Sequence, residues 1–509
     1  WRVYETVRLV DIDAEASRLR VQRGHLGSTI RAWPAEKTYA AAHVGRPPNA
    51  HNNQRRWVYN YALNAPESAS GRPLADVFAD HLAAHFTGEG RCANLDGIEF
   101  DMFPFRPIVF HERQVRRLGR GIDCNGDGKW DLGVEDGVPV FGLGARHFLE
   151  TLRQRLGPDR LILVDMGRRA YPGLLNGIES EGWPEPFDTE IARWSTGMNE
   201  HRYWRHRSAS PRASYIHMKY AERRPGRNRR VTLAPNLYRL VMGAAQMHNG
   251  IVTVQHLDVS DPRIRDELCK GEERVYNWLG MPLEPPRILA LDAREADKTA
   301  AQPAFEALAH LDLGAARARR TEPPPSVVLT GSDRHADHFD VVLKDIPCPG
   351  PDLVVSLTVR ALAPLPGATL DTARRLTVKA GSGGGPPDHR THEWTWFDGD
   401  PFSPRFYFRQ CTEPELDLVL RFEGTGPVQI RDIAVHYHPD VMSRRFENGL
   451  VLVNPSMAPF TFDLNRLYPD LTCRRLRGAH PEGRDVNTGK PVGNTVTVPA
   501  RDGLFLLAR

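Results

Sequence analysis

No CxxC pair occurs among the six cysteines of this chain, Cys92, Cys124, Cys269, Cys348, Cys411 and Cys473. Structural zinc sites draw their thiolates from such close pairs, so the absence argues against one. Cys348 and Cys411 share a strand-rich region and are the pair to test first for a disulfide; unbridged thiols are the alternative. Long hydrophobic runs are missing as well. No apolar stretch approaches the roughly 18–20 residues of a membrane span, so no transmembrane helix is expected. Nor is there a large charge excess: 67 Lys+Arg against 63 Asp+Glu leaves +4 over 509 residues, which points to no particular partner. No tandem repeat stands out. The chain opens at Trp1 rather than Met, so a segment upstream is expected.

What is present is ordinary globular material. With 40% hydrophobic and 26% charged residues, the chain has the composition of a soluble multidomain protein, of about two to four domains by length. Residues 3–10 and 18–23 read as a hairpin. A different rhythm follows, in which short apolar segments alternate with helical ones. RRWVYNYALN (55–64), LDGIEFD (95–101), DRLILVDMG (159–167), NGIESEGW (176–183), SYIHMKY (214–220) and GIVTVQH (250–256) are strand-like. LADVFADHLAAHF (74–86) carries Leu74, Val77, Phe78, Leu82 and Phe86 at helical spacing. The stretches 145–157 and 233–248 repeat that pattern. Such alternation predicts a parallel α/β sheet, here a (β/α)8 barrel that lacks its first strands.

Residues 286–325 read as a linker or wrapping segment ending in a proline run. From Val327 onward about eight short strands separated by Gly/Pro turns predict a β-sandwich of jelly-roll type. The end of the chain is again β-rich. The expected domains are a barrel with its hairpin (1–290), a linker (291–325), a carbohydrate-binding-like sandwich (326–440) and a small antiparallel C-terminal β-domain (441–509).

In parallel α/β folds, chemistry sits at the carboxyl ends of the strands. Polar residues gather there repeatedly: Asp101, Asp165, the Glu179/Glu181 pair, the His217/Lys219 pair, Gln255 and Asn60. Glu99 shares the face of Asp101, one repeat deeper on its strand. Any one such acid can be a helix cap or an ion-pair partner. Acids at successive strand ends are harder to explain structurally, because each costs several kcal/mol if buried unpaired. Paired carboxylates are what glycoside hydrolysis uses: one protonates the leaving oxygen, and the other attacks or activates water. Trp183 is placed either to stack on a sugar ring or to pack a core.

DGIEFDMF, LGPDRLILVD, NGIESEGWP and the closing RRFENGLVLVNPS…VTVPARDGLFLL resemble the TIM-barrel glycoside hydrolases, in particular a poorly characterised group whose barrel strand reads DG-x-x-x-D. The resemblance covers roughly residues 55–285 and 441–509. It implies a nucleophile at the end of strand four and an acid/base at the end of strand six. Counting residues 55–64 as strand three, these are Asp101 and Glu181, with Glu179 as the rival of Glu181. Glu99 and Asp165 are then supporting acids, and Asn60, Trp183, His217, Lys219 and Gln255 substrate contacts. The implied activity is cleavage of a poly- or oligosaccharide with retention of configuration. A carboxyl separation of about 5 Å gives retention, and about 6.5–9.5 Å gives inversion. The alternative is a non-catalytic carbohydrate-binding or structural surface protein on the same scaffold.

DCNGDGKWD (123–131) sets Asp123, Asn125, Asp127, Lys129 and Asp131 in the spacing of a calcium loop, with Lys129 offering its carbonyl. The bidentate Glu usual at position twelve is absent. A structural Ca2+ is expected here, with a metal-free Asx turn as the alternative; such a site suits an extracellular, secreted protein. HRYWRHRSASPR (201–212) and ERRPGRNRR (222–230) are basic with interleaved aromatics. They read as solvated loops, and nucleic acid is not an expected partner. In the sandwich, Trp394, Trp396 or Phe397 either bind carbohydrate or pack the core.

Overall fold

The structure is a computed structural model. It describes residues 5, 7–13, 15–25, 28–38, 59–67, 71–101, 103, 124–127, 129, 133–165, 169, 171–225, 228–253, 265–292, 302–303, 311–312, 316–321, 326–332, 336–363, 373–381 and 392–508. Two compact units divide the chain, Trp1–Ile162 and Leu163–Arg509.

In the first unit, Arg8–Asp13 and Arg18–Gln22 form the expected antiparallel hairpin. Helices α1 (Leu74–Phe86) and α2 (Val140–Leu156) pack together. Alternation at helical spacing puts Phe78 of α1 and Phe148 of α2 into a ring cluster with Tyr61, Phe100, Phe103 and Phe141. Helix α2 starts five residues before the expected stretch and ends at Gly157, whose φ of 79° suits glycine. Residues 59–64 are not a strand. The Asn60 amide nitrogen donates to the Cys124 carbonyl (2.9 Å) and its oxygen accepts from the Ala62 amide (3.1 Å), which turns the chain at this point. The numbering of barrel strands from residues 55–64 loses its first member.

One five-stranded sheet has the order Gly97–Phe100, Leu161–Asp165, Gly177–Glu181, Tyr215–His217, Ile251–Thr253. Its last four strands pair in parallel. Among the described residues this sheet is open, with Gly97–Phe100 and Ile251–Thr253 at its edges, so no closed barrel is present there. Leu161–Asp165 and Gly177–Glu181 follow a buried-strand logic: Ile162, Val164 and Ile178 are buried apolar residues. Helices α3 (Trp194–Arg207) and α4 (Pro235–Met247) connect the later strands. Residues 201–207, read from the sequence as a basic loop, belong to α3, and His201, Tyr203 and Trp204 are buried.

In the second unit, eight strands between Ser326 and His436 build a two-sheet β-sandwich. One sheet runs Ala316–Thr321, Ser326–Gly331, Val428–His436, Asp352–Ala361, Arg405–Arg409; the other runs Leu311–Asp312, His338–Pro347, Glu415–Glu423, Arg374–Gly381, His392–Phe397. The segment read as a linker supplies edge strands to both. Alternation fills the interior: Leu416, Leu418, Leu420 and Phe422 of one strand meet Leu353, Val355, Leu357 and Val359 of another in one core. The C-terminal region is antiparallel, with the sheet order Arg287–Ile288, Met442–Phe446, Gly449–Asn454, Asp502–Ala508, Cys473–Arg475. Its Val451, Val453, Phe505 and Leu507 pack on Leu240, Val241 and Ala244 of α4. Among the described residues, no helix is long and apolar enough to cross a membrane.

Candidate functional site

Parallel pairing sets Asp165 opposite Glu179 and Glu181 opposite His217. Because side chains alternate along a strand, Glu179 and Glu181 share one face while Ile178 and Ser180 take the other. The outcome is a cluster of three acids at the carboxyl ends of two neighbouring strands. Carboxylate oxygens of Asp165, Glu179 and Glu181 all lie within 4.8 Å of one another. Glu179 is buried, at 9% exposure, and Glu181 is half-buried.

The next strand supplies counter-groups. Nδ1 of His217 lies 2.8 Å from Oε1 of Glu179, and Nζ of Lys219 donates to Oε1 of Glu181. Three carboxyl groups thus gather beside one imidazole and one ammonium. Charge repulsion and lost hydration oppose that arrangement. A bound cation or a dense set of hydroxyl donors would offset both.

The strand carrying the cluster is held from behind by α3. Trp183, just beyond Glu181, is fully buried and lies flat against His201 (5.3 Å between centroids), and His201 stacks in turn on His248 (4.7 Å). Gly197 permits this approach, since a Cβ there would sit 2.3 Å from the Trp183 ring. Trp183 is therefore a core residue and leaves no ring face for a sugar. Helix α3 is anchored at its start by Glu393 of the sandwich. This buried carboxylate accepts from the amides of Ser195 (3.3 Å) and Thr196 (2.7 Å) and from the Thr196 hydroxyl (2.6 Å). It acts as an N-terminal cap supplied by a distant strand. At the other end, the Tyr203 hydroxyl donates to Asp398 (2.9 Å).

Asp101 and Glu99 are exposed on and after the strand Gly97–Phe100 of the first unit, so the buried strand expected of LDGIEFD is solvent-facing on their side. Asn60 is buried and spends both ends of its amide on backbone, which makes it a turn residue rather than a ligand contact. Gln255 lies outside the described residues, as do Asp123 and Asp131. Of the calcium-loop candidates, Asn125 accepts from the Asp127 amide (3.1 Å) and Asp127 from the Lys129 amide (2.8 Å). These successive Asx turns curl the loop as a calcium loop curls, and also occur without metal. In the sandwich Phe397 is fully buried, which settles it as core, while Trp394 and Trp396 are half-buried neighbours.

Sequence reasoning missed Glu393, His201, His248 and Glu200. A carboxylate within the apolar alternation of HEWTWF was the available sign for Glu393.

No family model matches the sequence, and no curated protein matches it. Among solved structures, the chain is similar to a CBM4 structure with a TM-score of 0.17 and 16% identity, over 27% of this chain and 84% of that one. The CBM22-1 xylan-binding domain of Paenibacillus barcinonensis Xyn10C gives 0.19 and 15%, over 24% and 81%. The agarase AgWH50C gives 0.20 and 9%, over 28% and 25%. Likeness at this level assigns neither a fold nor an activity.

Proposed function

We propose that this chain is a carbohydrate-binding protein whose saccharide site is the cluster of Asp165, Glu179 and Glu181 with His217 and Lys219. The observation that carries the reading is the convergence of three carboxylates within 4.8 Å at strand ends, beside an imidazole and an ammonium. Carboxylates accept from sugar hydroxyls in pairs, and Lys219 donates to them. The sequence resemblance to barrel glycoside hydrolases supports the same ligand class. The domain division drawn from the sequence, with a separate sandwich over 326–440, belongs to this proposal, as does secretion.

Binding without turnover is the preferred form. Oε1 of Glu181 is occupied by the Lys219 ammonium, whereas a general acid must present its proton to the leaving oxygen. Hydrolysis is the second reading, favoured by the close approach of the acids, whose oxygens lie within 4.8 Å of one another. In that case Glu181 exchanges the proton and a neighbouring acid attacks. The three carboxylates also form a donor set suited to a hard cation, and the loop around Asn125, Asp127 and Lys129 is proposed as a structural calcium site.

The deciding experiment offers the full chain a polysaccharide panel and follows both binding and release of reducing ends, with Glu181→Gln and Asp101→Asn in parallel. Binding without release, weakened at least about ten-fold in E181Q, is the expected result. Release that E181Q abolishes would move the assignment to hydrolysis. A wild-type chain that binds nothing on the panel sinks the proposal.

A further inference from the structure

A second polar site lies on the sandwich, away from the acidic cluster. On the sheet containing Ser326–Gly331, Val428–His436 and Asp352–Ala361, alternate residues face the sandwich core: Val327, Leu329, Val428, Ile430, Leu357 and Val359. Ser326, Thr358, Arg360, Gln429 and Arg431 lie between or beside them and, with Val359 and Pro401, line a cleft of about 120 Å3. Register brings them together. Arg431 pairs with both Ser326 and Thr358, and Gln429 with Arg360, so three strands distant in sequence contribute to one floor.

The floor is built rather than incidental. Nε of Arg360 donates to Oε1 of Gln429 (2.5 Å), and Nε2 of Gln429 donates to the Ser326 hydroxyl (2.6 Å). This relay fixes the glutamine amide and holds the guanidinium in place. Ser326 and Thr358 are buried, with the Thr358 hydroxyl 2.9 Å from that of Ser403. No carboxylate lines the cleft. Among the described residues no acid pairs with Arg360, and the acid on Arg431 is the exposed Asp432, at 3.5 Å. Two guanidiniums sharing a small cleft repel each other, and an anion relieves that repulsion.

We infer that this cleft binds a uronate, a sugar that presents one carboxylate and several hydroxyls. The guanidinium fork matches a carboxylate bidentately, which an ammonium cannot do. Beyond the relay the Gln429 amide keeps a second N–H and a second lone pair, which match sugar hydroxyls. The inference rests on the carbohydrate reading for its ligand class and not on the acidic cluster.

The test is calorimetric titration of the full chain with glucuronate, glucose and inorganic sulfate, repeated on Arg360→Ala and Arg431→Ala. Saturable glucuronate binding, at least ten-fold tighter than glucose or sulfate and at least ten-fold weaker in either variant, is expected. Arg360→Lys and Arg431→Lys keep the charge without the fork and guard against misfolding; they too should weaken glucuronate. Equal binding of glucose and glucuronate, or binding indifferent to all four substitutions, overturns the inference. Sulfate as tight as glucuronate also overturns it, since the cleft then reads an oxyanion and not a sugar. Neutral polysaccharide binding that survives while glucuronate fails separates this failure from failure of the carbohydrate reading.

Discussion

Nδ1 of His217 and Oε1 of Glu179 meet at 2.8 Å across two parallel strands, with His217 two residues beyond Tyr215, the partner of Glu179 in the register. The contact gives a buried carboxylate a hydrogen-bond partner in the place where hydration is lost. Removing that partner by His217→Ala should destabilise the second unit by roughly 1–3 kcal/mol, the cost of leaving a buried acceptor short of a bond. His217→Asn, which can still donate, should recover part of the loss. Urea denaturation followed by tryptophan fluorescence measures both. An H217A midpoint equal to that of the wild type would mean that Glu179 does not depend on the imidazole.

Gly97, the glycine of the DG pair in LDGIEFD, has a steric reason to be glycine. A Cβ at this position would sit 2.0 Å from the carbonyl oxygen of Leu161, a backbone atom that cannot swing aside. The same approach lets the Leu161 amide donate to the Asp96 carbonyl at 2.8 Å. Gly97→Ala is expected to push the two segments apart and to cost several kcal/mol, on the order of an overpacked core site. Hydrogen exchange at the Leu161 amide should accelerate with it. Unchanged protection of that amide in G97A counts against this account.

How far the sequence reached is visible in such cases. Helix α1 was legible because Leu74, Val77, Phe78, Leu82 and Phe86 keep helical spacing, and the sandwich because Leu416, Leu418, Leu420 and Phe422 keep strand spacing. Asp165, Glu179 and Glu181 were legible as candidates because acids interrupt apolar strands. Their pairing with His217 and Lys219 depends on strand order, which no local pattern encodes. The strand expected over 55–64 is absent at 59–64 for a related reason: YNYALN has strand-like composition, but the side chain of Asn60 competes for backbone groups and turns the chain. Trp183 carries no mark of whether its ring faces a ligand or the His201–His248 stack. The arginine cleft needed the register of three strands up to a hundred residues apart.

Glu200 on α3 should govern part of the pH dependence of stability. Burial, reinforced by the charge of Glu185, raises its carboxyl from 4.5 to about 8. The unfolded chain gives up this proton near its ordinary value, while the folded chain keeps it to a higher pH. The folded state therefore binds more protons between the two values. Its stabilising contribution is complete below pH 4.5, drains as pH rises, and is gone above about 8. Glu200→Gln should remove that decline, leaving the variant more stable than wild type at pH 9 by up to a few kcal/mol and little different at pH 5, to order of magnitude. His201 beside it works in the opposite direction, held neutral by burial that lowers it to about 3. Denaturant midpoints of the two proteins across this range test the point. Parallel curves for wild type and E200Q would exclude Glu200 as the source.

Cys348 and Cys411 are neighbours in the sandwich, and among the described residues, which include all six cysteines, none is bridged. Burial first, and then Cys348, pushes the Cys411 thiol up to about 12. Since the thiolate is the species that reacts, exchange with glutathione disulfide at neutral pH should be slow, and faster at pH 9. Once formed, a bridge would close a loop of roughly sixty residues and stabilise the sandwich by about 2–4 kcal/mol. The expected outcome is a single disulfide-linked 348–411 peptide after oxidation, with a higher unfolding midpoint that a reductant reverses and Cys411→Ser prevents. Peptide mapping that finds both thiols alkylated after prolonged oxidation at pH 9 would show that their geometry forbids the bond, and the pair would then be packing residues only.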